Sequence, residues 1–137
     1  MNLKVCSLGA ILAAAIAAPA FAHHSFAMFD ATKTLVVKGT VKEYEWVNPH
    51  IWLRLMIADQ ATGRQLQWAF ELRSPGTLTK LGMTSTTMKP GDVVTVSYNP
   101  LKDGSRGGQF LQALLPNGQL AVRRPGGPDL REGAYKE

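Results

Sequence analysis

The chain has 137 residues, 45% of them hydrophobic, and carries a formal charge of +5 from 15 Lys and Arg against 10 Asp and Glu. That length suits one small domain with a single core, and the lone cysteine, Cys6, excludes a disulfide framework or a multi-thiolate metal centre. A sequence pI near 9.6 would admit nucleic acid or anionic lipid as partners, but no stripe of alternating basic and aromatic residues accompanies it, so the charge reads as a solvated basic surface.

The first segment reads as a signal peptide. Lys4 supplies a positive start, Val5 to Ala18 an apolar run, and Ala20-Phe21-Ala22 a small-x-small cleavage site. The apolar run is shorter than the roughly 20 residues of a membrane span, and no later stretch approaches that length. Residues 1–22 are therefore expected to be removed, taking Cys6 and Lys4 with them and leaving His23 at the mature N-terminus. Residues 23–122 form the expected domain, and 123–137 a basic tail rich in proline, glycine and charge that is expected to be disordered.

His23 to Asp30 opens the mature chain, with Phe26 and Phe29 as anchors and Asp30 ahead of Thr32 as a turn former. A long first strand runs from about Lys33 to Trp46, because Val37, Gly39 and Val41 alternate with Lys38, Thr40 and Lys42. Pro49 then takes the chain out of the sheet, since it cannot donate a ladder hydrogen bond and disfavours helix at Asn48. The second strand, Ile51–Ile57, sends Ile51, Leu53, Leu55 and Ile57 to one face and Trp52, Arg54 and Met56 to the other. Asp59 to Gly63 suits a hairpin loop into a third strand, Gln65–Leu72, with Leu66, Trp68, Phe70 and Leu72 inward and Gln65, Gln67, Ala69 and Glu71 outward.

Ser74 to Gly82 reads as a short helix: Ser74 caps it, Pro75 sits in its first turn, Leu78 and Leu81 share a face, and Gly82 ends it. Met83 to Lys89 reads as a polar connection and Lys89-Pro90-Gly91-Asp92 as a turn. A fourth strand covers Val93–Tyr98, a flexible loop Asn99–Gly108, a fifth strand Gln109–Leu115 and a last short one Gln119–Val122. Three strands, a helix and two more strands is the element order of the oligonucleotide/oligosaccharide-binding (OB) barrel, and the long first strand suits one that must pair on both sides. The expected fold is all-β with one short helix, a small five- to six-stranded OB-like barrel.

Cleavage after Ala22 would create the sharpest chemical feature. An N-terminal histidine offers its free amine and a ring nitrogen as a chelate, and His24 or His50 would supply a third nitrogen. That nitrogen-rich set suits Cu(II), which heads the divalent affinity order, and an α-amine with a pKa near 7.7–8.0 gives up its proton easily at neutral pH. Against this stands the plainer role of solvated terminal histidines and a strand-capping His50. A second candidate surface is Trp46, Trp52, Arg54 and Met56, a face for a periplasmic partner protein or a glycan, set against the alternative that Trp52 packs with Tyr44 and Trp46. Glu43 and Glu45 share a face as paired carboxylates do, but have no evident acid/base partner and read as solvated charge. No Gly-x-Ser-x-Gly elbow, His-Glu-x-x-His helix or phosphate loop is present, so no enzymatic activity is expected.

The segments His23-His24-Ser25-Phe26-Ala27-Met28-Phe29-Asp30 and Gly39-Thr40-Val41-Lys42-Glu43-Tyr44-Glu45-Trp46-Val47-Asn48-Pro49-His50, with Glu71-Leu72-Arg73-Ser74-Pro75, the Lys89–Asp92 turn and the Pro100–Ser105 loop, resemble the DUF6152 family. The resemblance implies a periplasmic single domain of a Gram-negative bacterium, without an established activity or ligand. It also implies histidine in both segments, here His23-His24 and His50, which makes a joint site worth testing.

Overall fold

The computed structural model describes residues 26–131. The signal-peptide reading and the candidate ligands His23 and His24 lie outside the described residues. After a one-turn 3-10 helix at Phe26–Met28 come β1 (Leu35–Glu45), β2 (Trp52–Ala58), β3 (Gln65–Glu71), α1 (Pro75–Lys80), β4 (Val93–Pro100), β5 (Gly107–Leu114) and the two-residue β6 (Leu120–Ala121). The sheet order is β3-β2-β1-β4-β5-β6, and a parallel pairing of β3 with β5 closes the first five strands into a barrel. This is the expected OB-like barrel, with β6 as an extra strand and α1 bridging β3 and β4.

β1 achieves closure by dividing its length. Leu35–Thr40 pair with β4, Thr40–Glu45 pair with β2, and a bulge at Lys42 lies between Val41 and Glu43. A bulge places one extra residue on its strand and reverses which face later side chains take. Val41 is therefore buried, and beyond it Tyr44 and Trp46 pack against the core while Glu43 and Glu45 face out. β2 needs no such correction: Leu53, Leu55 and Ile57 are buried, with Ile51 just ahead of the strand. With Phe70, Leu72, Val94, Val96, Tyr98, Phe110 and Ala113 they form the core. Phe70 lies edge-on to Tyr98 at 5.0 Å between centroids.

Ser74 caps α1 by accepting from the Thr77 N–H, and Gly82 follows with φ +86°. Three parts of the chain differ from the sequence reading. Met83 and Met88 are buried, so the connection read as polar carries two core side chains beneath a Thr84–Thr87 turn. Gly107 and Gly108 belong to β5, where β3 and β5 approach each other backbone to backbone; a Cβ on Gly107 would collide with the Ala69 carbonyl, and one on Gly108 with the Asn99 carbonyl. Their pairing reflects barrel closure, a use that a glycine-rich loop reading misses. Finally, residues 123–131 depart from the disordered tail that their composition suggests. Leu130 is buried, and the buried Gln112 amide donates to the Pro128 carbonyl at 2.7 Å while its oxygen accepts from the Arg124 N–H at 3.2 Å.

Candidate functional site

Pro49 ends the β1–β2 corner, and the Asn48–Pro49 peptide is cis. Immediately after it the ladder between β2 and β3 continues by two bonds, Ile51 N–H to the Arg73 carbonyl at 3.3 Å and Leu72 N–H to the Ile51 carbonyl at 2.9 Å. Trp52 pairs with Glu71 in register, so the residue preceding Ile51 reaches the end of β3. There the His50 Nδ1 meets the Glu71 Oε1 directly. Glu71 is buried, with 8% of its side chain exposed, whereas His50 keeps 32% of its side chain in contact with solvent. Glu71, read as an outward side chain of the third strand, keeps the facing of its register partner Trp52 but is buried. Its carboxylate is held by a histidine, which compensates for taking it out of water.

His50 and Glu71 line a cavity of about 440 Å³ whose other walls include Phe26, Phe29, Arg73 and Phe110. The N-terminal segment reaches it because it is stitched to the β4–β5 loop. Phe29 is buried and bridges to Leu101, the Asp30 N–H donates to the Pro100 carbonyl at 2.8 Å, and the Lys102 N–H donates to the Met28 carbonyl at 3.0 Å. Asp30 completes this anchor: its carboxylate accepts from the Thr32 hydroxyl and pairs with Lys33 at 3.1 Å, which together hold its pKa below the usual carboxylate range. The first described residue, Phe26, is thus on the wall of the His50 cavity.

Among the described residues no three His, Cys, Asp or Glu side chains gather as a metal site. His50 alone of the three candidate ligands falls within them. A histidine bonded through Nδ1 to a carboxylate keeps Nε2 as its metal-binding nitrogen, the usual arrangement for a metal-ligating imidazole.

The second candidate surface is divided by the Lys42 bulge. Trp46 turns inward against the core and lies edge-on to Tyr44 at 5.8 Å, so it does not join Trp52, Arg54 and Met56. Burial pushes the Tyr44 phenol pKa well up. Trp52 and Arg54 line a shallow hollow of about 310 Å³ together with Val47 and His50, while Met56 is half-buried further along β2. Glu43 and Glu45, read as solvated charges, both accept from Arg54 Nη1, at 3.0 and 2.9 Å, and hold its pKa above the usual arginine value. The charge of Arg54 is accordingly matched by two carboxylates, and Trp52 is the aromatic side chain lining that hollow.

What sequence reasoning missed is the His50–Glu71 pair. Its only signal was indirect: Glu71 ends a strand whose partner begins beside His50, a relation visible once β2 and β3 are registered as a hairpin about Asp59–Gly63.

No curated protein and no solved structure matches the chain. The model of a family of unknown function, DUF6152, matches residues 11–111, well over half of the sequence and including His23, His24, His50 and Glu71; the chain belongs to that family.

Proposed function

We propose that this is an exported, periplasmic and non-enzymatic copper-binding protein, in which the amine and imidazole of a mature N-terminal His23 act with His50, and with His24 as the alternative third nitrogen. The observation that carries the reading is the His50–Glu71 pair on the wall of a cavity that Phe26 also lines. His23 precedes Phe26 by three residues, so covalent geometry alone keeps their Cα atoms within about 11 Å. A carboxylate-held imidazole and an amine–imidazole chelate supply borderline nitrogen donors, the set preferred by Cu(II) over harder cations. The role this supports is buffering or delivery of copper to a partner.

The test is titration of the protein exported and cleaved by its own leader, its N-terminus verified by mass spectrometry. One tight Cu(II) equivalent is expected, weakened on the order of tenfold or more when the N-terminal α-amine is selectively acetylated, since the amine then leaves the chelate. Loose binding that is indifferent to that acetylation contradicts the reading. The alternative, a partner protein or glycan engaged by the Trp52/Arg54 face, is favoured by the hollow beside Trp52. Trp52→Ala separates the two: it removes partner or glycan binding under the alternative and leaves copper binding unchanged under the first reading.

A further inference from the structure

A second cavity of about 430 Å³ adjoins the His50 cavity and shares Arg73, Gln109 and Phe110 with it. Leu78, Leu81 and Val122 form aliphatic walls, and Arg73, Arg123 and Arg124 stand around them. No Asp or Glu lines this cavity. Arg54 carries two carboxylates, Arg131 pairs with Asp129 and Lys33 with Asp30, whereas these three guanidinium groups, like several exposed lysines and arginines elsewhere, have no salt-bridge partner among the described residues; what sets them apart is that all three line one cavity. Leu81 is 48% exposed, so an apolar side chain stands open to solvent beside guanidinium groups that no described carboxylate pairs with.

From this we infer that the groove between α1 and the β5–β6 end binds a small amphiphile with one anionic head, carboxylate or phosphate, and one short aliphatic chain. Arginine suits both heads because its planar fork donates two parallel hydrogen bonds to either, and the volume lies in the range of small-molecule sites. The aliphatic chain covers Leu78, Leu81 and Val122, and the head supplies the negative charge that the cavity's own lining lacks. The site is separate from the proposed copper ligands, and its occupancy does not depend on metal.

The probes are octanoate and octyl phosphate, titrated calorimetrically into the metal-free protein, with octyltrimethylammonium and acetate as controls. One equivalent of octanoate or octyl phosphate is expected to bind, the tighter of the two identifying the head group, while both controls bind at least about tenfold more weakly. Arg123→Glu with Arg124→Glu should weaken binding by about tenfold or more; both side chains are exposed, so a melting curve close to the parent's is expected. Leu81→Asp, also at an exposed position, should do the same through the chain. Binding of neither anionic probe, equal binding of the cationic one, or affinity unchanged in both variants overturns the inference.

Discussion

Glu71 and His50 show how one buried carboxylate can be given a purpose by one neighbour. Burying Glu71 without a partner would be strongly unfavourable, so the contact with His50 Nδ1 both permits the burial and, under the proposed function, leaves Nε2 as the nitrogen for metal. Glu71→Gln tests the positioning role. It keeps size and hydrogen-bonding capacity, and is expected to lower copper affinity by about 10- to 100-fold, with little change in the far-UV spectrum. Rescue by Glu71→Asp should be partial, because the shorter side chain holds the ring less well. Unchanged affinity in Glu71→Gln would reduce the pair to a structural contact.

At the scale of elements, the barrel depends on two local departures from regular strand geometry. The Lys42 bulge turns Tyr44 and Trp46 inward, and the Gly107-Gly108 pair lets β5 lie against both β3 and β4. Gly107 has φ +141° and its hydrogen faces the Ala69 backbone, so Gly107→Ala combines an unfavourable dihedral with a backbone collision. A loss of at least about 2 kcal/mol is expected, read as an earlier midpoint in urea denaturation. Strand periodicity makes most of the barrel legible in the sequence: the inward set Ile51, Leu53, Leu55 and Ile57, the cap at Ser74 and the order of elements all come from local rules. The bulge is not legible, because an inserted residue leaves no compositional mark and simply reverses the parity of the side chains beyond it. For that reason sequence alone groups Trp46 with Trp52, although the two stand on opposite sides of the sheet. The Gly107-Gly108 pair is ambiguous for a related reason: flexible loops and tight backbone approaches both select glycine, and only the β3–β5 pairing distinguishes them.

Across the whole molecule, the segments at either end of the barrel do much to set what it presents to solvent. The N-terminal segment is anchored through Phe29 and Asp30 beside the His50 cavity, and residues 123–131 return over the β4–β5 face, where Ser97 and Gln112 are register partners and both buried. Composition alone marks this second segment as disordered, because its ordering rests on a single apolar side chain, Leu130, and on the Gln112 amide some distance away in sequence. Ending the chain after Arg123 should cost about 2–4 kcal/mol, from re-exposing the ground beneath Leu130 and leaving the Gln112 side chain without its partners. Urea denaturation of the truncated chain checks this. The joint action of the two histidine segments is the central claim, and it is tested most directly by Cu(II) titration of correctly processed protein carrying His50→Ala. One tight equivalent is expected in the parent and an affinity lower on the order of tenfold or more in the variant, which should also melt earlier because Glu71 is left buried without its partner. A variant that binds copper as tightly as the parent would contradict that joint action, and would leave the His23-His24 terminus to bind metal without the barrel.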